Sequence, residues 1–131
     1  MATNTAGDVG QLYHTRQTMY LAKDIDYTMD GTTVTLGVLP PRAAVIRGGV
    51  VVSTAFNAGT TNVLDIGTSG DGDGLATDLA LGTIGIIVAD ELATTNDAYS
   101  TSAVTVTCDV DLTGTAATAG AGVVWVEYIV V

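Results

Sequence analysis

The stretch SAVTVTCDVDLTG, residues 102–114, determines the fold class, because apolar and polar residues alternate without a break from Val104 to Thr113. Its even-numbered residues from Val104 to Leu112 are apolar, and the odd-numbered residues between them are threonines and aspartates. Successive side chains of a β-strand point to opposite faces, so the apolar set shares one face and the polar set faces water. The pattern predicts a half-buried strand.

Comparable apolar stretches recur at short spacing along the chain. They are TTVTLGVLP (32–40), AAVIRGGVVVSTAF (43–56), NVLDIGT (62–68), LALGTIGIIV (79–88) and GAGVVWVEYIVV (120–131). No sustained helical periodicity accompanies them. Seven or eight short strands separated by turns predict an all-β, jelly-roll-like β-sandwich.

Two of these stretches allow finer predictions. In residues 32–40, alternation places Val34, Leu36 and Val38 on one face. In residues 43–56, the pair Gly48–Gly49 predicts a bulge or bend within a long strand.

The chain has 131 residues, which is most simply one domain with a sizeable core. Residues 1–30 are predicted to form a flexible N-terminal arm and lead-in segment, and residues 31–131 a single β-sandwich domain. The periodicity of residues 11–22 is compatible with either a strand or a short helix.

Composition excludes several classes of function. Hydrophobic residues make up 47% of the chain, yet no run of about 18 apolar residues exists to span a bilayer, and no signal peptide is recognised at the start. The net charge is −10, and all four bases fall within the first 47 residues. Nucleic-acid binding is disfavoured because it needs clustered cations. We expect neither a membrane nor a nucleic acid as partner, and interpret the surplus apolar surface as buried against protein.

Nothing in the sequence predicts catalysis. The G-x-S-x-G, H-E-x-x-H and phosphate-loop motifs are absent. Cys108 lies in an apolar alternation and is expected to be a small buried hydrophobe, while Asp109 and Asp111 are expected to be solvated. The sequence therefore predicts a protein that is not an enzyme and needs no cofactor.

The stretch DIGTSGDGDGLATDL, residues 65–79, raises the question of a calcium site. Its aspartates miss the ligand positions of an EF-hand loop, and a single nonapeptide-like unit lacks the stacked copies that calcium-binding repeats need. A glycine-rich surface loop between core strands is therefore the favoured interpretation. A calcium site outside known families remains the alternative, with the ligands Asp65, Asp71, Asp73 and Asp78.

The last strand predicts a protein interface, because residues on both of its faces are apolar. Such a strand is either central in a sandwich or covered by a partner. Arg42 and Arg47 bracket the apolar stretch AAVI after the double proline. Arginine is enriched at interfaces, and a solvated or intramolecular ion pair is the competing interpretation. The candidate interface residues are Tyr13, Arg16, Arg42, Arg47, Trp125 and Tyr128.

Two further blocks carry a resemblance. They are GVLPPRAAVIRGGVVVSTAFNAGTTNVLDIGTSGDGDGL (37–75) and LTGTAATAGAGVVWVEYIVV (112–131). In order and spacing they resemble a pattern in small virion proteins of tailed bacteriophages, the capsid decoration or cement proteins. The resemblance implies a jelly-roll-like domain on the outer capsid surface, and it supplies no metal ligand or catalytic residue.

The resulting hypothesis is a structural virion protein that clamps neighbouring major-capsid subunits and stabilises the expanded head. Its expected partners are the major capsid protein and itself, as a dimer or trimer. The alternative is a binding module associated with a phage tail or head fibre, calcium-dependent and lectin-like. A cellular interaction domain is a more remote third class.

Overall fold

The computed structural model describes residues 17–131 except for 90–91 and 93–96. Eight strands dominate the described chain, and one 3₁₀ turn, Tyr27–Met29, follows the first of them. The strands are β1 (Met19–Asp26), β2 (Thr33–Leu39), β3 (Ala43–Thr54), β4 (Thr61–Thr68), β5 (Asp71–Ala80), β6 (Gly85–Val88), β7 (Val104–Thr113) and β8 (Ala121–Val130).

The strands form two four-stranded antiparallel sheets, with the orders β1-β8-β3-β6 and β2-β7-β4-β5. The prediction of an all-β sandwich is confirmed. The first strand pairs with the last, the second with the seventh, the third with the sixth and the fourth with the fifth. Eight strands paired in this nested order are what rolling up one long hairpin produces, so we infer that the sandwich is jelly-roll-like.

The core lies between the two sheets and is aliphatic. The central strands β7 and β8 contribute the residues expected from their alternation, among them Val106 and Val124, which have no exposed surface. Full burial of each such side chain stabilises the fold by about 1.5–3 kcal/mol. Other core residues without exposed surface are Val50, Leu64, Ile66, Ala76, Leu81, Cys108 and Val126.

A register shift in β2 overturns one prediction from the sequence. Leu36 and Leu39 are buried, whereas Val38 is 58% exposed. The pairing of β2 with β7 shifts between Thr35 and Gly37, and one extra residue moves every later side chain to the opposite face. Val38 therefore does not share the inner face with Leu36.

The bulges of β3 also lie elsewhere than predicted. Pairing with β8 is regular from Arg47 to Val52, so Gly48–Gly49 contains no bulge. The register shifts instead between Val45 and Arg47 and again between Val52 and Thr54. Gly49 allows β6 to approach β3 closely, because a Cβ at this position would lie 2.3 Å from the carbonyl oxygen of Ile87 on β6.

The acidic stretch is a hairpin and not a surface loop. Residues 71–80 form β5, which pairs with β4 across a turn at Ser69–Gly70. Leu75 and Ala76 are buried at the core. These two residues and Leu79, which is also buried, hold this glycine-rich segment in the sheet despite its weak strand propensity.

Part of the lead-in segment also belongs to the sandwich. Residues 19–26 form β1, which pairs with β8 along its whole length, and Ile25 is buried in the core. The strand alternative for residues 11–22 therefore holds from Met19 onward. The division of the chain at residue 30 stays a prediction, as does the flexible arm, whose first 16 residues lie outside the described chain.

Candidate protein-interaction surface

One outer side of the sandwich is apolar. On β8, Val124 and Val126 point into the core without exposed surface, so Val123 and Trp125 point outward. The register places Val51 of β3 opposite Val123, and Ile86 of β6 opposite Val51. We call this surface the apolar face and define it by Val51, Ile86, Val88, Val123 and Trp125.

Trp125 lies near the middle of the apolar face between two small residues. Its cross-strand neighbours are Ala22 on β1 and Gly49 on β3. Toward β6 the face is exposed, with Ile86 at 66% and Val88 at 49%. A contiguous apolar patch bordered by polar residues is typical of a surface that binds another protein.

An ion pair closes one end of the apolar face. Nη2 of Arg47 lies 3.0 Å from both carboxylate oxygens of Glu127, which is its cross-strand neighbour. The arginine side chain is 62% exposed, so the pair adds little to stability. Its main consequence is that the two charges on this part of the face compensate each other.

The structure separates the predicted interface residues. Trp125 and Arg47 lie on the same outer face of neighbouring strands, whereas Tyr128 packs against the core. Arg42 lies at the exposed turn before β3 with a positive φ of 64°. There its backbone N–H donates to the Ser100 carbonyl at 2.9 Å, and its carbonyl accepts from the Val131 N–H at 3.0 Å.

Tyr13 and Arg16 lie outside the described residues. An interface role for all six candidates stays a prediction. For Arg47, the partner seen in the structure is the intramolecular Glu127.

Sequence reasoning missed several residues that line or border the apolar face. Tyr20 lies opposite Glu127 and is 71% exposed, but its face could not be assigned while residues 11–22 were ambiguous. Val51, Ile86 and Val88 belong to runs that are apolar on both sides. The missing signal was the pairing register, which only the folded sheet supplies.

The opposite outer side of the sandwich is rich in aspartate and threonine. We call it the acidic face and define it by Asp65, Asp78, Asp109 and Asp111. Asp65 of β4 lies directly opposite Asp109 of β7, an arrangement of like charges that destabilises a sheet. Thr33 Oγ donates to Asp109 Oδ1 at 2.6 Å, and the Asp78 N–H donates to Asp65 Oδ1 at 2.8 Å.

The environment of Asp65 raises the pKa of its carboxyl group. Partial burial is the largest cause, and the charges of Asp78, Asp73 and Asp109 act in the same direction. The hydrogen bond from the Asp78 backbone opposes them. Within the described residues, no group of three or more His, Cys, Asp or Glu side chains is placed to hold a metal ion.

Cys108 is buried, and its surroundings keep it in the thiol form. Burial, followed by the charge of Asp109, raises the pKa of the thiol to about 12, although Lys23 acts against the shift. Since the thiolate is the nucleophile, this cysteine is unreactive at neutral pH. The described surface thus presents an apolar face and an acidic face. In the same part of the chain, no helix has the length and apolarity needed to cross a bilayer.

Comparison with known proteins gives a likeness of fold. No protein-family model matches the sequence, and no curated protein matches it. Among solved structures, a chain of the cyanophage Pam1 capsid asymmetric unit is similar with a TM-score of 0.67 and 19% identity, over 99% of each chain. A chain of the Ralstonia phage GP4 capsid is similar with a TM-score of 0.66 and 18% identity, over 99% of this chain and 90% of that one.

A third similar chain comes from the acid-stable capsid of Helicobacter pylori bacteriophage KHP30. Its TM-score is 0.58 at 18% identity, over 86% of this chain and 87% of that one. At these identities the likeness establishes the fold: the whole sandwich, from its first strand to its last, is a fold present in phage capsid structures.

Proposed function

We propose that this chain is a structural virion protein that binds the outer surface of a phage capsid. There it would clamp neighbouring major-capsid subunits, stabilise the expanded head and associate with further copies of itself. The observation that carries the proposal is the two-sided sandwich, in which one face is apolar and the other acidic. The likeness of nearly the whole chain to chains in capsid structures supports the same assignment.

The two faces suggest how the protein would be oriented on the shell. The apolar face gains free energy when a partner removes it from water, at about 25 cal/mol per Å² of apolar area. The acidic face would lose the hydration of its carboxylates on contact and therefore favours solvent. We accordingly assign the apolar face to the capsid and the acidic face to the outside.

Binding at one site need not be strong for the shell to be stabilised. A ligand that binds only the expanded head shifts the equilibrium toward that state by mass action. Many copies that each bridge two subunits then act together, because dissociation of one contact leaves the others in place. A non-enzymatic protein with one apolar face is sufficient for this mechanism.

The proposal is tested by adding purified protein to expanded heads that lack it and measuring occupancy. Val51→Asp places a charge on the apolar face, where Val51 is 37% exposed and faces Val123. We expect its affinity for heads to fall at least tenfold, because burying a carboxylate beside Trp125 and Val123 costs several kcal/mol.

Thr35→Asp is the matched control, since it adds the same charge at an exposed position of the opposite sheet, where Thr35 faces Thr107. It should decorate heads like the wild type. Both variants must show the wild-type circular dichroism spectrum. Wild-type protein that fails to bind heads would refute the proposal, and equal loss in both variants would refute the assignment of the faces.

A further inference from the structure

The four edge strands of the sandwich differ in how well they are protected from pairing with another chain. Charged side chains and bulges usually block such edges. The edge strand β1 carries Lys23, Asp24 and Asp26, β5 carries three aspartates, and β2 contains a register shift. The fourth edge strand, β6, has the sequence GIIV, with no charge, no proline and no register shift.

The backbone of β6 shows which groups are open on this edge. The Ala89 N–H donates to the Gly48 carbonyl at 2.8 Å, which continues the ladder between β6 and β3. Because backbone groups alternate in direction along an antiparallel strand, Ile86 and Val88 direct their N–H and C=O groups away from β3. No strand among the described residues pairs with that side.

We propose that β6 is a dimerisation strand that pairs antiparallel with β6 of a second copy of this chain. With Ile86 opposite Val88 of the second copy, each of these residues exchanges both of its hydrogen bonds with its counterpart. Two donors and two acceptors from each copy then form four hydrogen bonds. This register satisfies every open group that β6 presents, so the edge is complementary to itself.

The same register explains why a second copy fits better than an unrelated strand. Residues directly opposite each other in a sheet point to the same side, so Ile86 and Val88 of both copies lie on one surface. The two β1-β8-β3-β6 sheets become one eight-stranded sheet, and the two apolar faces become continuous. The acidic faces lie on the other layer of each sandwich, which limits repulsion between chains of net charge −10.

This dimer deepens the proposed function and rests on it for its biological setting, because the doubled apolar face is the surface offered to the shell. The geometry of this dimer would let its two symmetry-related copies bind two neighbouring capsid subunits. The pairing itself is a property of the free protein, so it is tested without capsids.

The test replaces Val88 and measures the mass of the protein by sedimentation equilibrium up to roughly 1 mM, the range of local concentrations that neighbouring sites provide. Val88→Pro removes an N–H that points to the open edge, a position where a strand tolerates proline. We expect wild-type mass to approach twice the 13.2 kDa of one chain. The V88P variant should dissociate at least tenfold more readily, because two hydrogen bonds are lost across the two-fold axis.

Val88→Thr is the matched control, since it keeps the backbone donor and the branched shape, and it should dimerise like the wild type. Amide exchange at Ile86 and Val88 should also slow as wild-type concentration rises. Wild-type protein that stays at 13.2 kDa throughout, or V88P that associates as tightly as the wild type, would overturn the proposal. Neither result would affect the conclusion about binding to heads, which is tested separately with Val51→Asp.

Discussion

The Asp65 carboxylate accepts a hydrogen bond and lies near several like charges. The Asp78 backbone donates to it, while Asp109 lies opposite it on the neighbouring strand. Partial burial adds to the cost of its ionisation and is the main reason for its raised pKa. No Lys or Arg follows residue 47 in the sequence.

Asp65→Asn should stabilise the protein at neutral pH. The folded-state pKa of Asp65 lies above its ordinary value of 3.8, so ionisation costs more in the folded than in the unfolded chain. The contribution of Asp65 to stability therefore falls as the pH rises through its folded pKa, and the loss of that contribution is complete at neutral pH. Asparagine keeps the oxygen that accepts the hydrogen bond from the Asp78 N–H and removes the charge. Loss of the like-charge repulsion in such a cross-strand pair stabilises the fold by about 0.2–1 kcal/mol.

The measurement is urea denaturation between about pH 4 and 7. Asp111→Asn is the control, because Asp111 lies on the same face but opposite Val63. The variant D65N should gain more stability at pH 7 than at pH 4, and more than D111N does. An equal gain at both pH values would contradict the assigned role of the charge.

At the scale of elements, β3 shows how closely packed strands select glycine. It is a central strand of 12 residues, paired with β8 on one side and β6 on the other. Its register shifts near both ends and is regular in the middle, where Gly48 and Gly49 lie. Strand β6 approaches Gly49 so closely that no Cβ can be accommodated without movement.

Gly49→Ala should therefore displace β6 and lower the free energy of unfolding by about 1–3 kcal/mol, the usual cost of overpacking. The new methyl group would lie 2.3 Å from the Ile87 carbonyl oxygen. Gly82→Ala is the matched control, since nothing lies within 4 Å of a Cβ at that position. Thermal and chemical denaturation of both variants measures the difference; equal stability of the two would show that β6 adjusts freely.

At the scale of the molecule, charge and apolar area are sorted onto opposite sides. Strand alternation produces this arrangement, because each sheet turns one set of side chains to the shared core and the other set outward. In the β2-β7-β4-β5 sheet the outward set is acidic, and in the β1-β8-β3-β6 sheet it is largely apolar. The protein thus presents two surfaces with opposite preferences for water.

Salt should raise the melting temperature, because it screens the repulsion among the aspartates of the acidic face and within a chain of net charge −10. Sodium chloride and potassium chloride should act alike at equal ionic strength. Calcium chloride at the same ionic strength tests the calcium-dependent alternative. A larger shift that EDTA reverses and that Asp71→Ala with Asp73→Ala abolishes would favour that alternative, while a fall in melting temperature with sodium chloride would contradict the role of repulsion.

The sequence by itself determined the fold class and much of the core. Strict alternation from Val104 to Leu112 dictates one buried and one polar face whatever the partners are, because the side-chain period of a strand is two. Composition likewise excluded clustered cations. These properties are local, so they can be derived from neighbouring residues alone.

Only the tertiary structure decided which outer faces are apolar and which strand edges have no partner among the described residues. The exposure of Val38 depends on a register shift against β7, and the role of Gly49 depends on the position of β6. The opposition of Asp65 and Asp109 joins residues 44 positions apart in the chain. Pairing register is set by contacts between distant segments, and a shift of one residue reverses every face. Periodicity alone could therefore not locate the apolar face or the edge of β6 that no described strand pairs with.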